Sequence, residues 1–199
     1  DWIMSAFSGG AWTMHMNGGA GTFTTETTFI ASQNPACALL FDFDGDQDLD
    51  IALLDEIADE VILWENTCLA TNFCQATPNS TGLPAVVSFT GSCSIAANDL
   101  SLQVGPMPDG FGFFFYGQST QPEAPVGDGV LCLGSQLFRS APAQATGNLL
   151  STPFDLAAPP VPAATILSGS TWSFQLVFRD LAGGGAGFNF SNGLQLTFI

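Results

Sequence analysis

Apolar and polar residues alternate in short runs along most of this chain, which is the period of a half-buried strand. Residues 22–30, TFTTETTFI, alternate in this way, and residues 37–41, CALLF, form a compact apolar run that leads into FDFDGDQDLD. Downstream, strand candidates recur at 86–90, 100–104, 112–116, 130–133, 147–154, 172–179 and 194–199. Gly and Pro separate them and no helical periodicity intervenes, so the expected class is all-β, with an antiparallel β-sandwich in the second half.

The first part contains a repeat. DWIMSAFSGGAWTMHMN (1–17) and DIALLDEIADEVILWEN (50–66) have the same length, open on Asp, run apolar, turn through a polar or Gly segment and end on a strand closed by Asn. By this alignment Asp1 corresponds to Asp50, and the expectation is a chain that begins partway through a structural unit. A run of Thr, Asn, Pro and Gly at 66–85 reads as a linker. The expected division is a repeat region at 1–70 and a β domain at 71–199.

Composition narrows the function. Against 18 acids stand only Arg139 and Arg179, a formal net charge of -16. Neither counterion release nor electrostatic steering is available for nucleic acid or an anionic membrane surface, so cations are the natural partners. With 46% hydrophobic residues the chain has enough material for a sizeable core. No apolar run reaches the roughly 18 residues of a membrane span, and no basic segment followed by an apolar one opens the sequence. The five cysteines, Cys37, Cys68, Cys74, Cys93 and Cys132, lack the paired spacing and the histidines of a zinc site. Disulfides in an extracytoplasmic setting are the expectation, with one thiol left over.

Asp42, Asp44, Asp46, Asp48 and Asp50 occupy every second position of FDFDGDQDLD. Carboxylates this close repel one another unless a cation joins them. A hard cation takes six to eight oxygens, and alternate carboxylates on a curled loop relieved by Gly45 converge on one ion. The pattern is not an EF-hand: its Gly stands fourth, no Glu closes a twelve-residue loop, and strands flank it.

The order MNGGAGTF, an apolar strand, DFDGDQDLDIALL, a turn and VILWEN resembles the FG-GAP or VCBS repeat, the blade of integrin-like β-propellers, over residues 12–66. The resemblance implies a Ca2+ loop between two strands. Carried onto this sequence, Asp42, Asp44, Asp46 and Asp50 are side-chain ligands and Asp48 offers its carbonyl. It also implies partial propeller blades, since about one and a half units fall short of the four to eight that close a propeller. Missing strands would then come from upstream blades or from another chain. The stretches CQATPNSTGLPA, AANDLSL, FGFFFYG, PVGDGVLCLG and TWSFQLVFRDLAGGGAGFNFSNGLQLTF resemble the C-terminal domain of large secreted or surface proteins of planctomycete-like bacteria. That resemblance implies an extracellular β module with Cys74 bonded to Cys132. Domain membership then pairs Cys37 with Cys68 and leaves Cys93 unpaired.

No catalytic constellation emerges, and the expectation is that the chain is not an enzyme. His15, the only histidine, sits on a strand face with no base or ligand cluster nearby in sequence. No GxSxG elbow occurs, and GGGAG (183–187) lacks the P-loop lysine and reads as a flexible hairpin. Asp55, Glu56, Asp59 and Glu60 read as a solvated turn, FGFFFYG as core rather than a sugar platform, and the two arginines as partners of carboxylates. Asn79 and Asn189 stand in glycosylation sequons. Three functions stay open: a self-associating Ca2+-binding subunit of a surface filament or other assembly, built by β-strand contacts between subunits; an adhesive module for a glycan or protein; and a noncatalytic part of a secreted enzyme.

Overall fold

The computed structural model describes residues 2–5, 9–19, 21–43, 49–66 and 68–199. The chain is all-β, built of several antiparallel sheets, with two 3-10 turns and no α-helix among the described residues. It divides into two compact units, Asp1–Asn66 and Thr67–Ile199.

The first unit holds two three-stranded sheets. Strands β1 (Trp2–Ser5), β2 (Ala11–Gly19) and β3 (Thr22–Ile30) form one in that order; β4 (Pro35–Phe41), β5 (Asp50–Asp55) and β6 (Glu60–Trp64) form the other. The sequence repeat is a repeat of register. The first hairpin pairs Trp2 with His15, Ile3 with Met14, Met4 with Thr13 and Ser5 with Trp12. A shift of 49 residues carries these four pairs onto Ile51–Trp64, Ala52–Leu63, Leu53–Ile62 and Leu54–Val61, the pairs of the second hairpin.

The two hairpins bury opposite faces. Paired residues of an antiparallel ladder share a face, and neighbours along a strand alternate. The small core gathers Trp12, Phe29, Ala31 and Leu53, with Ile3, Met14, Ala38, Ile51 and Ile62 packed around them. Ile3, Met14 and Trp12 correspond by repeat position to Ala52, Leu63 and Val61, which lie on the far face of the second sheet. Leu53, Ile51 and Ile62 correspond to Met4, Trp2 and Thr13 on the far face of the first. The sheets therefore stack face to back, and each keeps one apolar face outside. Trp2, Met4, Phe23 and Ile30 are exposed on the first; Leu39, Phe41, Val61 and Leu63 are exposed on the second.

The second unit begins with β7 (Leu69–Phe73), inside the stretch expected to be a linker. It pairs with the last strand, from Thr197–Leu69 to Gly193–Phe73. The remaining strands are β8 (Val86–Thr90), β9 (Ser101–Gly105), β10 (Gly110–Gly117), β11 (Thr120–Val126), β12 (Gly129–Leu133), β13 (Phe138–Arg139), β14 (Ala143–Ala145), β15 (Leu150–Pro153), β16 (Thr171–Arg179) and β17 (Phe188–Thr197). A six-stranded sheet runs β13-β10-β16-β17-β7, with β14 also on β10; a second runs β15-β9-β8; β11 and β12 make a hairpin. One core joins the first two sheets. Phe114, Tyr116, Trp172, Phe174, Leu176, Phe178, Leu194 and Leu196 come from the larger, and Val87, Leu102, Val104 and Leu150 from the smaller. Tyr116 sits at its aromatic centre, stacked on Phe174 at 5.9 Å and edge-on to Phe154 at 5.0 Å. Burial pushes the Tyr116 hydroxyl above its ordinary pKa.

The other face of the six-stranded sheet is half covered. Gln175, fully buried opposite a bulge in the β16–β17 pairing, meets the β12 strand there. Its Nε2 donates to the carbonyls of Val130 (2.8 Å) and Ser191 (2.9 Å), and its Oε1 accepts from Cys132 N–H (3.0 Å). This amide ties the β11–β12 hairpin onto the sheet and leaves the end near Phe111 open.

Candidate functional site

Of the five aspartates expected to bind metal, Asp44, Asp46 and Asp48 lie outside the described residues. Asp42 is exposed, and Asp50 at the start of β5 is 1% exposed. Asp50 holds the two approaches to its strand together: Oδ2 accepts from Phe43 N–H and Oδ1 from Asn66 N–H, both at 2.8 Å. Phe43 follows β4 and Asn66 follows β6, so one buried carboxylate links all three strands of the sheet at this end. Asp50 is thus a buried carboxylate held by a backbone donor on each oxygen.

Asp55 does the same at the other end of β5. It was expected on a solvated turn, yet it is 1% exposed while Glu56, Asp59 and Glu60 are exposed. Its carboxylate accepts from Gln33 N–H at 2.7 Å, Asn34 N–H at 3.0 Å, Ala58 N–H at 3.1 Å and Ile57 N–H at 3.3 Å. Burial raises its pKa, but the four N–H donors together outweigh burial and hold the carboxyl below its ordinary range. Charge alternation in the sequence carried no sign of this role, because what makes Asp55 structural is the set of backbone donors the fold brings to it.

The disulfides differ from expectation in one pair. Cys74 is bonded to Cys132, and Cys68 is bonded to Cys93 rather than to Cys37, with Cα atoms 5.4 Å apart. Cys37 is a free, exposed thiol on β4. The reason is β7: Cys68 belongs to the second unit, next to a strand of its largest sheet, and packs against the core that buries Cys93. Glu123 lies beside the Cys74–Cys132 sulfurs, but these are joined to each other and the Glu123 carboxylate accepts from Gln75 N–H at 3.0 Å, so the group offers no thiolate pair to a metal. Two disulfides point to an oxidising compartment.

Other expected sites resolve into structure. The GGGAG loop is tied down: Asp128 accepts from Ala186 N–H (2.9 Å) and Gly187 N–H (3.0 Å), and Asp180 from Gly183 N–H (3.2 Å) and Ser80 N–H (2.9 Å). Carboxylates of the chain already fill the donors a phosphate would need. Positive φ at Gly184 (77°), Gly185 (61°) and Gly187 (77°) explains three of the loop's four glycines. Both sequon asparagines are buried; Asn79 Nδ2 donates to Pro106 O (2.8 Å) and Asn189 Nδ2 to Pro78 O (3.2 Å), which removes them as glycosylation acceptors. His15 Nε2 lies 3.1 Å from Thr13 Oγ1, with Trp2 edge-on to its ring.

FGFFFYG splits by face. Phe114 and Tyr116 are core, while Phe111, Phe113 and Phe115 point to the opposite side of the sheet. Beyond the part covered by the β11–β12 hairpin they open into a groove of about 610 Å³, lined by Phe111, Phe113, Pro142, Val177, Arg179 and Phe188, among others. The Arg139 guanidinium, expected on a carboxylate, lies over the Phe113 ring at 4.1 Å. Both basic side chains of the chain thus attend one aromatic groove, a convergence hidden in the sequence because they stand 40 residues apart on strands either side of β10. No family model, curated protein or solved structure matches this chain.

Proposed function

We infer that this is an extracellular, Ca2+-binding structural protein, not an enzyme, whose first unit is a pair of partial propeller-like blades and whose second is a β-sandwich, and that copies assemble through the first unit. The observation that carries the reading is the face-to-back stacking of two hairpins in identical register. The face left open on β4-β5-β6 corresponds to the face by which β1-β2-β3 enters the core, and the reverse holds for the other open face. The contact inside the unit can therefore repeat between copies. A head-to-tail contact of this kind propagates into a filament unless its rotation closes a ring. Apolar area supports it: Trp2, Met4 and Ile30 at one end and Leu39, Val61 and Leu63 at the other would leave water together. The edge of β1 away from β2 offers a further route by strand addition.

Ca2+ at Asp42, Asp44, Asp46, Asp48 and Asp50 would neutralise acid beside this contact and stiffen the β4–β5 connection. Asp50 supplies a carboxylate already held by two backbone donors, and the disulfides fit a secreted or cell-surface location.

The test is sedimentation of the full chain in calcium, with Met4→Glu and Leu63→Glu, each at a half-exposed position on a different open face. Wild type grows with concentration; each variant alone stops growing. A mixture of the two forms hetero-pairs, because each keeps the face the other lacks. A wild type that stays monomeric, or variants that fail to complement, overturns the reading.

A further inference from the structure

We propose that the aromatic groove of the second unit is a binding site for an apolar carboxylate, an alkyl or aryl body carrying one anionic group. The lining sets the body. Phe111, Phe113, Pro142, Val177 and Phe188 offer ring and aliphatic surface, and Ala186 and Gly187 keep one wall low. The rings carry no hydrogen-bonding groups of their own, so the lining rewards apolar surface rather than hydroxyls. A purely apolar ligand would leave the charge at the rim without a role. The volume, about 610 Å³, falls within the range of sites that enclose small molecules.

The charge sets the head group. Arg179 lines the groove and is exposed at the end of β16, where its planar fork suits a carboxylate. Arg139 lies over Phe113, a lining ring, on the other side of β10. These are the only two cationic side chains in a chain with 18 acids, so the groove is the place where an anion finds a cationic partner. The wall is rigid as well, because Asp128 and Asp180 fix the 183–187 loop through backbone donors, and a preformed wall spares the ligand the cost of ordering it. Phe111 is 60% exposed, and covering it is the largest apolar gain on offer in the groove.

The experiment titrates the full chain with octanoate, octanol and octylammonium in calcium-free buffer, following binding by NMR. Octanoate is expected to saturate one site and to bind about 10-fold more tightly than octanol, the scale of one charge-assisted contact to a guanidinium. Octylammonium is expected to bind more weakly than either. Arg179→Ala brings octanoate down to the octanol level and leaves octanol unchanged; Phe111→Ala weakens both. Both residues are exposed, so unchanged melting temperatures keep the comparison valid, and Arg179→Gln serves if Arg179→Ala melts lower. The proposal is overturned if octanoate does not saturate, if octanol binds equally well, or if Arg179→Ala and Arg179→Gln leave octanoate binding intact. A face that instead takes up a second copy of the chain shows as dimerisation lost in Phe111→Ala without octanoate uptake, and that also overturns it.

Discussion

Buried polar side chains in this protein act as fasteners between segments far apart in sequence. Gln175 makes three hydrogen bonds inside the second unit, reaching Val130, Cys132 and Ser191. Replacing it by Leu preserves bulk but strands two carbonyls and one N–H, so Gln175→Leu should lower stability by about 2–4 kcal/mol in denaturant unfolding. A loss under about 0.5 kcal/mol would show that water replaces the amide. Asp55 predicts a pH effect of definite sign. Its folded pKa is depressed, so its contribution is present above the ordinary carboxylate value of about 3.9 and fades as pH falls through that value and below the folded one. Asp55→Asn should therefore be less stable than wild type at neutral pH, with the difference shrinking in acid. A difference independent of pH would deny the carboxylate its charged role.

At the scale of elements, β5 is the pivot of the first unit. It is the central strand of its sheet, it carries Leu53 into the core, and a buried aspartate at each end gathers backbone donors from neighbouring segments. If calcium binds the 42–50 loop, its removal loosens the β4–β5 connection. At a hundredfold excess over Kd the ion contributes about 2.7 kcal/mol to the folded state, so chelation should lower the melting temperature of this unit by several degrees. Calorimetry with and without chelator checks this, and an unchanged transition together with no bound calcium on elemental analysis would exclude the metal. In the second unit, β7 closes the largest sheet from a segment whose Thr and Asn content looks like a linker, LATNF. Pairing with β17 orders it, and the Asn72 side chain adds a hydrogen bond to Val87 O at 3.0 Å.

For the molecule as a whole, the two units draw stability from different sources. The second has a core of more than twenty residues and both disulfides, whereas the first has, among the described residues, four buried apolar side chains at its centre and wide apolar faces outside. Reduction should act on the second unit alone, each disulfide contributing about 2–4 kcal/mol by restricting the unfolded chain. Hydrogen exchange before and after reduction should show lost protection in β7 and β12, which adjoin the bonded cysteines, and none in β4–β6. Protection lost equally in both units would mean that they unfold together.

The alternation of apolar and polar residues made the β class legible and located most strands; TFTTETTFI is β3 to the residue, and the 86–90 run is β8. The repeat was legible too, because equal spacing of Asp, apolar and Asn positions imposes equal register. Patterns with a period of two report which residues share a face and nothing about what lies against that face. For that reason the sequence made Asp55 a surface acid and FGFFFYG a core stretch, while domain membership alone made Cys68 a partner of Cys37. Only the packing of strands distant along the chain surrounds Asp55 with N–H groups, brings Cys68 to Cys93, and turns Phe111 and Phe113 outward beside two arginines. Local alternation follows from backbone geometry and can be read from neighbours; burial, pairing and the meeting of charges depend on three-dimensional distance.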